Sequence, residues 1–140
     1  MRNKLAIFLI LGTLFSSSLY ADIDNAPLHA LAKHQGFFFF FSSSCPHCQR
    51  FAPTLKRLSQ HYGFSVVAIS VDGGFLPSFP DAVMNEGQTK VFQVSVYPSL
   101  FLINPKSQVA SLVTEGTIDE GELTNRLLKI SQIHDKEVPL

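Results

Sequence analysis

The only two cysteines of the chain stand three positions apart, as Cys45-Pro46-His47-Cys48. A disulfide at this spacing closes a loop too small to restrain the unfolded chain, so the pair is a poor structural staple. It is better placed to do chemistry. A run of strand formers precedes it and a helical pattern follows it, which puts Cys45 at a helix start. Unpaired N–H groups and the positive end of the helix dipole there favour a thiolate over a thiol. Pro46 suits a first turn, whose N–H is not needed. His47 can bring positive charge beside the sulfur. Cys48, one turn on and on the same face, can close a disulfide with small adjustments. The expected roles are Cys45 as the exposed nucleophile, Cys48 as the more buried resolving thiol, and Pro46 and His47 as redox-tuning neighbours. A depressed Cys45 pKa stabilises the reduced protein and makes the disulfide form oxidising.

Other uses of these residues weigh less. His61 follows Cys48 after twelve intervening positions, as in a zinc finger, but no histidine stands three to five places later and no second cysteine pair exists. Haem attachment needs a histidine directly after Cys48, where Gln49 stands. His29, His34 and His134 have no partner pattern and read as solvated. No metal is expected, and no cofactor beyond a redox-active Cys45–Cys48 disulfide. Net charge is zero, which gives no electrostatic case for nucleic acid.

The elements that must position the pair can be traced along the chain. Phe37 to Phe41 is short, aromatic and bounded by Gly36 and serines, and predicts a buried central strand. Cys48, Phe51, Ala52, Leu55, Leu58 and Tyr62 recur at helical spacing. They predict a helix from Cys45 to Tyr62, with Ser44 as N-cap, a kink at Pro53 and an end at Gly63. Phe64 to Val71 reads as a second, parallel strand, closing a βαβ unit. Asp72-Gly73-Gly74 is a turn, 75–81 a proline-bearing loop, and 85–93 a short helix. Leu100–Ile103 and Val109–Val113 form a hairpin about Asn104-Pro105-Lys106-Ser107. A last helix spans 118–133, opened by a Thr117/Glu120 capping box. Pro98, ahead of the third strand, is either a strand-opening proline or a cis proline beside the dithiol, leaving backbone groups free for an extended substrate.

The expected architecture is a single α/β domain of order β-α-β-α-β-β-α, a mixed four-stranded sheet flanked by helices, over residues 37–133. Residues 22–36 form a lead-in with a weak helical pattern in Leu28, Leu31 and Ala32, and 134–140 a polar tail. Residues 1–21 have the layout of a secretory signal peptide: Arg2 and Lys4, an apolar stretch from Leu5 to Phe15, then serines and Ala21, after which cleavage is expected. The alternative is an uncleaved anchor, for which the stretch is short. Cleavage would leave nine basic against eleven acidic residues, a net charge of −2. Export would place the dithiol in the periplasm or outside the cell, where disulfides persist.

Phe37–Phe41, the Cys45–Cys48 motif, Pro53 eight positions after Cys45, and Tyr97-Pro98 before a strand together resemble the thioredoxin superfamily, over nearly the whole mature chain. The resemblance implies a thioredoxin-like fold, a cis Pro98 facing the dithiol, and Tyr97 and Pro98 in substrate binding. The Cys-Pro-His-Cys version is that of the oxidising periplasmic DsbA enzymes, although the DsbA helical insertion is missing. A narrower resemblance is to TraF/TrbB-like periplasmic proteins of type-F conjugative transfer. It is carried by 45–53, Tyr62-Gly63-Phe64-Ser65-Val66, Asp72-Gly73-Gly74 and 101–105. It implies disulfide formation or reshuffling, as oxidase or isomerase, on exported cysteine-containing proteins of a pilus or secretion system. A membrane or periplasmic redox partner is implied as well. Two positions depart from the superfamily pattern: Phe39 stands where a buried acid is common, and Tyr97 where Val or Thr is commoner. A non-catalytic assembly subunit is the rival reading, with the aromatics of 75–80 docking a partner or folding back on the core.

Overall fold

The structure, a computed structural model, describes residues 19–136. Residues 1–18 of the expected signal peptide and the last four residues of the tail lie outside this range. The order is α1 (Leu19–Ala32), β1 (Gly36–Phe41), α2 (Pro46–Tyr62), β2 (Val66–Ser70), β3 (Val83–Met84), α3 (Gln88–Val91), β4 (Ser99–Asn104), β5 (Val109–Glu115) and α4 (Glu120–Lys136).

The sheet runs β3-β2-β1-β4-β5. Its centre is the phenylalanine strand, parallel to β2 and antiparallel to β4. Alternation along β1 sends its rings to both faces. Phe37, Phe39 and Phe41 join the core with Phe51, Leu55 and Leu58 of α2 and Leu123 and Leu127 of α4. Phe38 and Phe40 pack on the opposite face against Phe92, with ring centroids 5.4 and 5.6 Å apart. A strand buried on both sides needs no polar alternation, which is why the sequence reads as an unbroken apolar run.

Five strands stand where four were expected. The addition, β3, pairs Ile69 with Val83 and Ser70 with Met84. Two residues cannot display a period, so only their partner in β2 makes them a strand. The expected 85–93 helix contracts to the single turn of α3, because Asn85 takes the Thr89 N–H on its side chain at 3.1 Å and Gly87 starts the turn at φ 111°. The lead-in is more than a lead-in. Its α1 places Leu28 and Leu31 in the same core as the sheet, against α2 and α4. At the other end α4 runs three residues past Ile133.

Two capping expectations are corrected. Helix α2 is capped by Cys45 and not by Ser44, since the Cys45 sulfur accepts the Cys48 N–H in the N-cap position. Helix α4 is capped by Asp119, whose Oδ1 accepts the Glu122 N–H at 2.9 Å. Thr117, freed from the expected capping box, donates to the carbonyl of His47 at 3.0 Å. Pro53 lies within α2 without ending it, and Gly63 closes the helix in the left-handed region at φ 85°.

Candidate active site

The dithiol lies where β1 hands over to α2. Cys45 has extended backbone, φ −78° and ψ 116°, and its Sγ receives the backbone N–H of Cys48 at 3.4 Å. A sulfur in the capping position is held among N–H groups that no helical carbonyl satisfies, and a thiolate accepts such bonds better than a thiol does. Both thiols are free; Cys45 is half-buried and Cys48 fully so.

Their environments drive the two groups apart. Partial burial pushes Cys45 up, but the thiol and N–H of Cys48, the N–H of His47 and the Arg50 guanidinium outweigh it, leaving its pKa below the ordinary cysteine value. Burial, followed by the bond to Cys45, pushes Cys48 up to about 12. One sulfur is set to be the thiolate and the other to hold its proton, which is the asymmetry thiol–disulfide exchange needs.

Pro46, His47, Tyr97 and Pro98, the residues expected beside the two cysteines, come to this place. Pro46 and His47 form the exposed first turn of α2. The Tyr97-Pro98 peptide bond is cis, and the Tyr97 carbonyl lies 3.8 Å from Cys45 Sγ. Gly116 donates to the Pro98 carbonyl at 2.7 Å, so the 97–98 loop, the end of β5 and the first turn of α2 are tied together through Gly116 and Thr117. Phe39 is fully buried beside Phe41, Phe51 and Phe79, so an apolar ring occupies the place of a buried acid. His61 is not part of the site. It sits on the last turn of α2 beside His29 and Tyr62, ~20 Å along the helix from Cys48 at 1.5 Å per residue. His61 and the cysteines therefore cannot share one zinc ion.

The 75–80 segment divides between its two expected fates. Leu76 and Phe79 fold into the core, whereas Phe75 is 64% exposed. Phe75 borders a cavity of about 350 Å³ shared with Gln49, Ala52 and Pro53 of α2.

Residues 16–128 match the family described as "TraF: F plasmid transfer operon protein". The chain belongs to the TraF family. It is 30% identical over 102 residues to Protein TraF of Escherichia coli K12, a match covering 73% of this chain and 41% of that one. To Protein TrbB of the same organism it is 32% identical over 99 residues, covering 68% and 55%. This TraF-family chain thus spans about half the length of the curated relatives it matches. Solved structures give the fold. The exposed lipoprotein thioredoxin Etrx1 of Streptococcus pneumoniae superposes with TM-score 0.56 at 16% identity, over 73% of this chain and 89% of that one. A secreted disulfide oxidoreductase of Mycobacterium tuberculosis does so with TM-score 0.53 at 15% identity, over 71% and 84%. The TraF-family fold seen here is thioredoxin-like.

Three contributors near the dithiol were not found from sequence: Arg50, Thr117 and Asp72. The apolar repeat of α2 does not mark Arg50, and Thr117 suits a helix cap. Asp72 was part of a turn. The available signal for Asp72 is topological: β1 and β2 are parallel neighbours, so the residues after each strand must lie side by side.

Proposed function

We propose that this TraF-family chain is a periplasmic thiol–disulfide oxidoreductase, exported by its N-terminal signal peptide, that acts on exported proteins of a conjugative pilus or secretion system. The observation that carries the reading is the split between Cys45, a capping sulfur pulled toward the thiolate, and Cys48, buried and pushed up to about 12.

In the oxidising direction, a substrate thiolate attacks Cys45 Sγ of the Cys45–Cys48 disulfide. The S–S bond breaks, Cys48 leaves with the electron pair and takes a proton. A second substrate thiolate then attacks the substrate sulfur of the mixed disulfide and expels Cys45 as a thiolate. Two electrons pass from substrate to enzyme, and a membrane or periplasmic redox partner removes them. A low leaving-group pKa at Cys45 speeds the last step. Burial of Cys48 keeps attack on the outer sulfur. Isomerisation uses the same mixed disulfide, with a different substrate thiol resolving it. Tyr97 and Pro98 line the approach to Cys45, the Tyr97 carbonyl being nearest.

Trapping tests the proposal. A Cys48→Ala variant should accumulate mixed disulfides through Cys45 in the periplasm, and mass spectrometry of the adducts names the substrates. Equilibration with glutathione sets the direction. A potential well above thioredoxin's ~−270 mV supports oxidation or isomerisation, and one at that value refutes them.

One observation favours a second reading, a docking subunit of a transfer apparatus: the exposure of Phe75 beside its cavity. That reading prevails if Cys45→Ala retains function in cells and Phe75→Ser loses it.

A further inference from the structure

Asp72 carries more hydrogen bonds than any surface turn requires. Its carboxylate accepts the Ser43 N–H at 3.0 and 3.1 Å, the Ser43 hydroxyl at 2.8 Å, the Ser42 hydroxyl at 2.9 Å, the Ser70 hydroxyl at 3.1 Å and the Gly74 N–H at 3.2 Å. These donors come from both sides of a junction: Ser70 and Gly74 flank the end of β2, and Ser42 and Ser43 belong to the loop between β1 and Cys45. The Ser43 N–H leads the influences that hold the Asp72 carboxyl well below the usual carboxylate range, so it is ionised wherever the protein is folded near neutral pH.

Independent geometry says that the two segments are meant to touch. A Cβ built on Gly74 would overlap the Ser43 hydroxyl and lie 2.6 Å from its Cβ. Only glycine lets the 72–74 turn close on the serine loop. From the other side, Gln49 of α2 donates to the Ser43 carbonyl at 2.9 Å. The loop is therefore gripped between Asp72 and α2, and its next residues are the ones that matter: Cys45 N–H bonds back to the Ser42 carbonyl at 3.2 Å, and the Ser42 N–H acts on the Cys48 thiol.

We propose that Asp72 is a positioning residue for the dithiol: its carboxylate anchors the Ser42–Ser44 loop so that the Cys45 sulfur is held in the N-cap position of α2. The proposal rests on the redox reading of Cys45 and Cys48 given above. Its energetic logic is a contest of signs. A carboxylate near a thiolate disfavours it by charge, so removing the charge alone lowers the Cys45 pKa. Releasing the loop weakens the N–H bonds to the sulfur and raises it. In this arrangement the positioning effect exceeds the charge effect.

The experiment measures the Cys45 pKa in the intact protein from the pH dependence of iodoacetamide alkylation, for wild type, Asp72→Ala, Asp72→Asn and the Ser42→Ala/Ser43→Ala double variant. Asp72→Ala should raise the pKa by about half a unit, roughly a threefold loss of thiolate at a fixed pH below it. Asp72→Asn, which keeps an acceptor for the Ser43 N–H, should rise less. The double variant, which keeps the charge and loses two donors, should rise as well, and it decides the matter if Asp72→Ala does not fold. Equal falls in Asp72→Ala and Asp72→Asn, or no change in the double variant, overturn the proposal. Alkylation does not depend on turnover. A wild type that cannot exchange with glutathione sinks the redox reading, while the pKa comparison still decides whether Asp72 positions the sulfur.

Discussion

Arg50 donates to Nδ1 of His47 at 2.8 Å, one turn apart on the exposed side of α2. Arginine has no acceptor, so the ring nitrogen must accept. The cationic influence on Cys45 is that of Arg50, while His47 contributes its backbone N–H. Replacing Arg50 by Gln should therefore raise the Cys45 pKa, by less than about one unit for so exposed a charge. Arg50→Lys should preserve most of it. Added salt should shrink the difference between wild type and Arg50→Gln, because surface charges are screened. Alkylation rates across pH at two ionic strengths give the answer, and a salt-independent difference would assign the effect to packing.

Why some of this was visible in sequence and some was not follows from distance along the chain. The dithiol, its proline and its helix occupy eighteen consecutive residues, and the repeat of apolar positions from Cys48 to Tyr62 states the helix directly. The sequence points to a cap one position before the true one, Cys45, because a cysteine sulfur is not among the usual N-cap acceptors, whereas a serine hydroxyl such as that of Ser44 is. Thr117 and Asp119 both suit a helix start, and only the His47 carbonyl, 70 positions away, decides between them. Asp72 meets Ser43 across 29 positions, and nothing local in Asp-Gly-Gly distinguishes an anchor from a simple turn. Strand β3 is created by β2 alone. What was hidden in each case is a contact between segments remote in sequence, while what was legible is periodic or adjacent.

The packing of α1 makes a claim about where the domain begins. Leu28 is fully buried in the core shared with α2 and α4. Leu28→Ala should cost about 2–5 kcal/mol, the range for truncating a buried leucine. Urea titration of the protein measures it through the transition midpoint. A cost under about 1 kcal/mol would mean that α1 is a dispensable flank of the domain.

Thr117 links the segment before α4 to the first turn of α2. Its exposed bond to the His47 carbonyl should contribute about 0.5 kcal/mol, the low end for a hydrogen bond. Thr117→Val keeps the shape and removes the donor. The variant should lose that small amount of stability and, more tellingly, show faster amide hydrogen exchange at the start of α2. Unchanged exchange there would show that the link does not restrain the dithiol turn.

The Asp72 carboxyl titrates lower in the folded protein than unfolded. A depressed folded pKa contributes stability that is complete above the unfolded value of about 3.9 and is lost as pH falls toward the folded one. The stability difference between wild type and Asp72→Asn should accordingly be largest from neutral pH down to about pH 4 and should close in stronger acid. Denaturant midpoints at stepped pH reveal it, and a difference that persists unchanged at pH 2 would assign the effect to lost packing.

The opposed shifts of the two cysteines predict how each responds to an alkylating agent. Cys45, below the ordinary value, should react with a pH midpoint under the ~8.5 of free cysteine, its rate falling about tenfold per pH unit beneath that midpoint. Cys48, pushed up to about 12 mainly by burial, should stay unlabelled at neutral pH in the native reduced protein and become reactive only on unfolding. In a Cys45→Ser variant the neighbouring sulfur no longer opposes Cys48 ionisation, so its pKa should come down. Burial remains, and Cys48 should still be slower than free cysteine at pH 8. Mass spectrometry of singly labelled protein separates the two sites. Equal labelling of both thiols at neutral pH would show that Cys48 is open to solvent, and the division into attacking and resolving sulfur would then have no physical basis.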